Sequence, residues 1–357
     1  MSVQSQIRAW LQALDNSEAD AARAGAARAG ATRAEQVRAG AVVGLSGGAD
    51  SLALVHGLLR CGVPVHAVVV DHQLQAGSVQ VAAEAAATAR SLGATAEVRT
   101  VEVAGAGEGP AREARYRALG NAAAGRPLLV AHTADDDAEG LLIGLTRGSG
   151  AEAIAGMRGV HTDHVAVAAG AAWLGRPLLR CTRAETEAEC LNAGLSWWED
   201  PHNSSDAYLR SRIRTQVLPY LRDQLGEHIG SNMARTARML REDAELLDEL
   251  AARGLRVAEQ GASLNCAELQ QQPAALRRRI IKQWLAQHTG PLTSTHLHAI
   301  DALVVAWKGQ GGAAVPWPQG SPTIGEVTAQ ANTDLRRTHR LVVQRRDGYL
   351  QLATVPR

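Results

Sequence analysis

Residues 41–59 constrain the fold of this chain more than any other stretch. Ala41-Val42-Val43-Gly44-Leu45 is an apolar run of strand length, Ser46-Gly47-Gly48 breaks it, and residues 51–59 carry apolar side chains in a helical pattern. Strand, glycine turn and helix start in that order build an anion site. Glycine lets the backbone approach a ligand, and the free N–H groups of the helix face it with the positive end of the dipole. Ser46 and Ser51 add hydroxyl donors, and Asp50 can hold a divalent cation against phosphate oxygens. No lysine follows the glycines, so this is not a Walker loop. A plain strand–helix turn is the simpler alternative; two serines and an aspartate around the glycines favour phosphate.

The alternation continues downstream. Residues 63–70 form a second apolar run ending at Asp71-His72, 79–92 read as a helix and 95–103 as a third strand. A helix over 110–124 carries Arg112, Arg115, Tyr116 and Arg117, and a strand over 127–131 and a helix over 135–146 follow. This spacing predicts an α/β fold: a parallel sheet with helices on both faces. Ligands in such sheets bind beyond the carboxyl ends of the strands. Leu45-Ser46, Asp71-His72 and Ala131-His132 occupy such ends and are expected to converge. Further on, 176–179 reads as extended, 183–195 as an amphipathic helix, Trp197 to Asn203 as irregular, and Tyr208 onward as helical with Ile213 inward.

Outside this region the pattern changes. Ile7, Trp10, Leu11 and Leu14 recur at helical spacing, and the Ala/Arg/Gly-rich run from Glu18 to Arg38 is expected to bury little. Long helical patterns cover 231–253, 274–287 and 297–307; residues 309–333 read as a loop; Arg340 to Leu352 forms two alternating runs around Asp347-Gly348, a hairpin signature. The expected organisation is a helical, Ala/Arg-rich lead-in over 1–38, solvated from Glu18 on, the α/β domain over 39–217, a helical domain over 218–308, and a loop with a short C-terminal β-hairpin over 309–357.

Composition narrows the class. A chain of 357 residues holds two or three domains, and 46% hydrophobic with 20% charged residues suits a soluble globular protein. No apolar stretch approaches the ~20 residues of a membrane span. Residues 1–6 lack the order of a signal peptide, so no membrane and a cytoplasmic location are expected. Cys61, Cys181, Cys190 and Cys266 show no metal-ligand spacing. A net charge of +1 does not advertise nucleic-acid binding over the whole molecule, although arginine supplies nearly all the positive charge.

Five stretches, in order, resemble one family. Ser46-Gly47-Gly48-Ala49-Asp50-Ser51 is similar to the pyrophosphate loop of the N-type ATP pyrophosphatases, which cleave ATP between the α and β phosphates to adenylate a substrate. Val70-Asp71-His72-Gln73-Leu74 resembles Val-Asp-His-x-Leu, and Ala111-Arg112-Glu113-Ala114-Arg115-Tyr116 resembles Ala-Arg-x-x-Arg-Tyr. His132, Asp135, Asp136 and Glu139 resemble His-x-x-Asp-Asp-x-x-Glu, with Arg147-Gly148-Ser149-Gly150 following. Asp200-Pro201-His202-Asn203, then Arg210, Arg212, Arg214 and Leu218-Pro219, resemble Asp-Pro-x-Asn…Arg-x-Arg-x-Arg…Leu-Pro. Together these span 41–219 and resemble the tRNA(Ile)-lysidine synthetases.

That resemblance implies a PP-loop, adenine nucleotide α-hydrolase-like domain. It would adenylate the C2 oxygen of the wobble cytidine in a CAU anticodon of tRNA(Ile) with ATP and Mg²⁺, after which the side-chain amine of L-lysine displaces AMP. It implies ATP binding by Ser46, Gly47, Gly48, Ala49, Asp50, Ser51, Asp71, His72 and His132, and catalysis by Asp50, Arg112, Arg115, Asp136 and Glu139. Asp136 and Glu139 would hold the lysine, Asp50 and Asp135 the Mg²⁺, and Arg210, Arg212 and Arg214 the tRNA. Arg235 and Arg238, with Arg241, recur at helical spacing, as a phosphate-tracking face would.

Plainer alternatives stand beside these. The acidic run is also ordinary helix capping, yet carboxylates crowded on one turn repel unless a cation sits among them. Arg112 and Arg115 also suit a solvated face, the Arg210–Arg214 run suits ion pairs with Asp200 or Asp206, and Trp197-Trp198 suits either core filling or base stacking. The family usually has arginine at Gln75, glutamine at Asp137 and threonine at Gly140. Two other functions stay open: a catalytically impaired nucleotide- or RNA-binding PP-loop protein, and a tRNA thiolase, which needs a nucleophilic or persulfide cysteine, or an iron–sulfur cluster, near the loop. A homodimer is also left open.

Overall fold

The computed structural model describes residues 2–23, 30–73, 77–102, 108–148, 150–199, 208–318 and 336–357. Leu74, Gln75, Ser149, Asp200, Pro201, His202, Asn203 and Asp206 lie outside the described residues, as do 24–29 of the Ala/Arg-rich run and 319–333 of the expected loop. The chain divides into two compact units, 1–146 with 156–238, and 147–155 with 239–357. The division falls inside a long helix, beyond the change of pattern at 217.

The elements run α1 (Val3–Arg23), α2 (Arg33–Ala39), β1 (Ala41–Leu45), α3 (Ala49–Arg60), β2 (Val65–Asp71), α4 (Ser78–Ser91) and β3 (Thr95–Thr100). Next come α5 (Glu108–Ala123), β4 (Leu128–Leu129), α6 (Ala134–Arg147) and α7 (Ala151–Ile154), the last in the second unit. The first unit resumes with β5 (Val160–His161), α8 (Val165–Ala168), β6 (Leu174–Gly175) and α9 (Arg183–Asn192). It ends with α10 (Leu209–Arg212), a π-helical turn Ile213–Val217, α11 (Leu218–Leu225) and the first turns of α12 (Ile229–Ala258).

Six strands pair in the order β3-β2-β1-β4-β6-β5, all parallel except β5 against β6. The parallel α/β expectation holds. The chain steps from β1 outward through β2 to β3, then returns to the opposite side of β1 as β4. The strand order therefore reverses at β1, and the crevice beyond β1 and β4 is the place such sheets reserve for ligands. Ala41, Val42, Val43 and Leu45 are all buried, as a strand covered on both faces requires. The extended segment expected at 176–179 comes slightly earlier, as β6, and 177–180 is a turn.

The apolar positions of the amino-terminal helix are core positions, and the end of the Ala/Arg-rich run, expected to bury little, contributes two more. Val3, Ile7, Leu11 and Leu14 of α1, and Ala34 and Val37 of α2, join the same core as the sheet. Burying each large aliphatic side chain contributes about 1.5–3 kcal/mol. A capping box between Thr32 and Glu35 starts α2. Gly57 on α3 receives α1 so closely that a Cβ there would lie 2.7 Å from Ile7 Cδ1 and 2.8 Å from Val3 Cγ1.

The second unit contains the rest of α12, β7 (Glu259–Gln260), β8 (Ser263–Asn265), α13 (Cys266–Gln270), α14 (Ala274–Leu285) and α15 (Ser294–Val305). It closes with β9 (Ala313–Ala314), β10 (His339–Arg346) and β11 (Tyr349–Pro356). Asp347 and Gly348, at φ +50° and +84°, make the two-residue hairpin turn that their identities predict. The hairpin does not stand alone, however: it is the centre of a five-stranded antiparallel sheet, β7-β8-β11-β10-β9. Strands of two or three residues are too short to show alternation. Leu264, Ile280, Ile281, Leu285, Ile300, Leu341 and Val343 fill this unit's core. No helix among the described residues is long and apolar enough to cross a membrane.

Candidate active site

The chain leaves β1 through Ser46-Gly47-Gly48 and enters α3, so the unpaired N–H groups of the first turn open on the crevice beyond β1 and β4. Gly47 has φ +84°, its carbonyl accepts the Trp198 N–H at 3.0 Å, and a Cβ there would lie 3.2 Å from Ala85 Cβ. Gly48 has an ordinary φ of −77° and would place its Cβ no nearer than 3.5 Å to any atom. The backbone itself therefore demands glycine only at Gly47; Gly48 leaves clear the space a ligand approaches. Ser51 Oγ donates to Gly48 O at 2.9 Å and accepts from Ser46 N–H at 3.2 Å, so the serines brace the loop.

At the end of β2, the Asp71 carboxylate turns back to accept the Gln73 N–H at 2.9 Å. The Nδ1 of His72 is buried without a hydrogen-bond partner among the described residues. Burial, aided by Arg115, lowers its pKa. His132, beyond β4, accepts from Arg176 Nε at 3.2 Å, and burial holds its pKa far below the usual value despite Asp136. Arg112 and Arg115 of α5 flank the buried Tyr116 ring, their guanidinium carbons 5.0 and 5.6 Å from its centroid. Both arginines are half-buried, and both help to lower the pKa of His132.

The carboxylates of α6 are compensated by arginines from three other segments. Asp136 Oδ2 accepts the Thr133 N–H at 2.9 Å and the Thr133 hydroxyl at 3.2 Å, capping its own helix. Glu139 is 0% exposed and accepts from Arg214 Nε at 2.7 Å and Nη2 at 3.0 Å. Arg210 Nε lies 3.3 Å from it, close but without an aligned hydrogen bond, and Arg183 Nη1 lies at 3.8 Å. Arg214 also reaches Asp136 Oδ1 at 3.5 Å. Asp50 accepts the Thr186 hydroxyl and lies 3.6 Å from Arg183 Nε.

The two aspartates titrate in opposite senses. Burial raises the pKa of Asp50, because Thr186 and Arg183 only partly offset it. Burial also opposes ionisation of Asp136, but His132, the Thr133 N–H, Arg183 and Arg210 outweigh it and lower its pKa. A cavity of about 450 Å³ opens beside this network, lined by Asp135, Glu139, Arg183, Glu187, Arg214 and Arg222 among others.

Helical geometry sorts the arginine run. Arg210 and Arg214 are four apart and share the face towards Glu139, while Arg212 points outward and is exposed. Arg235, exposed and bonded to Asn232 at 2.9 Å, and Arg238 lie on α12 and are not drawn into the network. Trp197 packs against the main core, and Trp198 serves the loop through its backbone. Residues that pattern reading missed are Arg176, Arg183, Thr186 and Arg222. The only signal for any of them was the capping box Thr182–Glu185, which marks where α9 begins and hence where Arg183 and Thr186 sit.

Asp137 is engaged by the neighbouring turn. Its Oδ1 accepts the Met157 N–H at 2.8 Å, and a Cβ on Gly156 would lie 2.9 Å from its Oδ2. It braces that turn. At Gly140 a side chain would meet nothing within 4 Å.

Asp50 fits a Mg²⁺ held by one carboxylate and the phosphates of a nucleotide, since it stands beside the phosphate loop. Asp135 fits poorly: its oxygens accept the Arg183 N–H at 2.7 Å and Arg222 Nη2 at 3.1 Å. Among the described residues no group of three or more His, Cys, Asp or Glu forms an all-protein metal cage. Cys190 donates to Ala49 O beside the loop, but burial pushes its thiol up to about 11 and that of Cys181 up to about 12. That is the opposite of the activated thiolate a thiolase requires.

Residues 24–221 match the PP-loop domain, so fold and loop together define a PP-loop protein that uses ATP as co-substrate. Residues 264–321 match the TilS substrate binding domain. The chain is 48% identical over 292 residues to the tRNA(Ile)-lysidine synthase of Nocardia farcinica, covering 81% of this chain and 88% of that one. To the tRNA(Ile)-lysidine synthase of Mycobacterium bovis it is 45% identical over 322 residues, covering 88% and 91%. It belongs to the tRNA(Ile)-lysidine synthase family.

Proposed function

We propose that this chain ligates L-lysine to C2 of the wobble cytidine in the CAU anticodon of tRNA(Ile), in the cytoplasm, converting ATP to AMP and pyrophosphate. One observation carries the reading: the Ser-Gly-Gly loop at a helix start and a fully buried glutamate, facing arginine side chains among the described residues, lie at the crevice where the strand order reverses. In the first step the cytidine C2 oxygen attacks the α-phosphorus and pyrophosphate leaves. Ser46, Gly48, Ser51 and the start of α3 hold the phosphates, and Arg112 and Arg115 neutralise charge that develops on the leaving group. Asp50 would hold a Mg²⁺ against the phosphates, and that cation would supply further charge neutralisation.

In the second step the lysine ammonium is captured at Glu139 and Asp136, in competition with Arg214. After losing a proton the amine attacks C2, and AMP departs with the former C2 oxygen. Arg235 and Arg238, together with the substrate-binding region 264–321, supply the tRNA contacts. Of the two departures from the family pattern, Asp137 bonds the Met157 N–H and a side chain at Gly140 would meet nothing within 4 Å, which supports an intact site. The test pairs tRNA-dependent pyrophosphate release with transfer of radiolabelled lysine. Pyrophosphate release without any lysine transfer would overturn the reading.

A further inference from the structure

Arg277 and Arg176 are the buried arginines among the described residues, 7% and 4% exposed. Arg277 gives hydrogen bonds to both carboxylate oxygens of Asp301, at 2.5 and 3.3 Å. Arg176 has no such partner: among the described residues its guanidinium pairs with no carboxylate. It donates to uncharged acceptors instead, from Nε to His132 Nδ1 at 3.2 Å and from Nη1 to Arg158 O at 2.7 Å. A buried cation without a counterion is costly, and burial accordingly lowers its pKa. The sheet explains where this charge sits. β1, β4 and β6 are neighbours, and Ser46, His132 and Arg176 follow closely on their carboxyl ends. From the pair Val43–Leu129, equal steps along the two chains lead to Ser46 and His132.

A guanidinium can only donate, so the ring nitrogen that faces Arg176 Nε carries no proton. An imidazole with a bare Nδ1 is neutral and holds its one proton on Nε2. His132 cannot become an imidazolium without breaking this bond and setting a second cation against the first. The charged groups that face the ring are Arg176, Arg112 and Arg115, and Asp136. Burial, with the three arginines, outweighs Asp136 and holds the ring neutral. A protonated His132 would be drawn to Asp136 and would compete there with the lysine ammonium. A neutral one leaves that carboxylate to the substrate and still offers an N–H next to the Ser46 loop. We propose that Arg176 is a positioning residue of the nucleotide site, acting through His132, which it fixes as a neutral donor whose Nε2–H serves a phosphate oxygen of ATP. The proposal rests on the assignment of His132 to ATP, but the state of the ring in the free chain is tested without it.

Nitrogen NMR of the full chain with isotope-labelled histidine reads the ring directly, its signals recognised by their loss in His132→Gln. They should show a bare Nδ1 and a protonated Nε2 throughout the range from about pH 5 to 8. A proton on Nδ1 overturns the proposal, whatever the chain does with ATP. Gln Nε2 and Met Cε stand at the same place along the side chain as Arg Nε. Arg176→Gln therefore keeps the donor and Arg176→Met removes it, while both remove the charge. By calorimetry, Arg176→Met should bind ATP about fivefold more weakly than Arg176→Gln. With His132→Ala added to each, the two should bind ATP equally, because the hydrogen bond then has no recipient. A clamp that merely ties the end of β6 to Arg158 O and Gly159 O would leave their difference in place. The proposal is overturned if the difference survives without His132, or is absent with it. Should Arg176→Met not fold, the ring signals of Arg176→Gln decide: a bare Nδ1 is expected, and a mixture of tautomers overturns the proposal. His132→Ala with unchanged ATP affinity overturns the assignment of His132 to ATP, and the proposal with it, even where the ring state is as expected.

Discussion

Replacing Glu139 with glutamine should separate lysine capture from adenylation. Glu139 is 0% exposed and takes two hydrogen bonds from Arg214, at 2.7 and 3.0 Å, with Arg210 and Arg183 close by. The amide keeps the volume and one acceptor but removes the charge, so an incoming ammonium loses a charge-assisted hydrogen bond. Such a bond contributes about 1.5–3 kcal/mol. At about 1.4 kcal/mol per decade, the lysine concentration for half-maximal transfer rises roughly ten- to a hundredfold.

Three features place the effect toward the lower end. Asp136 remains 3.5 Å from Arg214, and Asp50 remains 3.6 Å from Arg183. The substitution also loosens Arg214, which is the competitor for the site. Breaking a fully buried ion pair costs about 3–5 kcal/mol, but Arg214 and Arg210 keep 25% and 31% of their side chains exposed, so the stability loss should be smaller. Circular dichroism and a melting curve establish that the variant is folded. Pyrophosphate release is then measured without lysine, and lysine incorporation at rising lysine concentration. If pyrophosphate release collapses as completely as lysine transfer in the folded variant, Glu139 serves ATP or metal, and the assignment to lysine is wrong.

Gly47→Ala should lose roughly 1–2 kcal/mol of stability from its left-handed backbone, together with ATP affinity, whereas Gly48→Ala should lose ATP affinity at an unchanged melting temperature. Equal destabilisation of the two would contradict the loop geometry. Burial raises the folded pKa of Asp50, so its ionised form costs stability that appears as pH rises through that value. Asp50→Asn should therefore melt higher than the parent chain, more so near neutral pH than near about pH 4, while pyrophosphate release falls about a hundredfold; a lower melting point at neutral pH would refute this. Asp137→Ala should cost about 1–3 kcal/mol by leaving the Met157 N–H unpaired, with no change in the lysine requirement of the folded enzyme.

Much of the scaffold is written in local pattern. The apolar run before Ser46, the glycine turn and the helix after it specify β1, the loop and α3 without reference to the rest of the chain. Repetition of that unit is enough to predict a parallel sheet, and Asp347-Gly348 is enough to predict the hairpin turn. These succeed because periodicity and turn chemistry depend on neighbours in the chain. Docking of α1 onto Gly57, and the short strands β7, β8 and β9, depend on surfaces that meet only after folding.

The same limit applies to charge. Sequence places Asp50 and Asp136 alike, each in the first turn of a helix. Only the tertiary structure brings Arg214 across a separation of 75 residues to Glu139, and sets Arg183 between Glu139 and Asp50. It also gives Asp137 a partner twenty residues on, the Met157 N–H. A pKa answers to burial and to charges within a few ångströms, and neither is a property of the order of residues. Burial dominates at Asp50 and compensation at Asp136, so two aspartates alike in sequence are shifted in opposite directions.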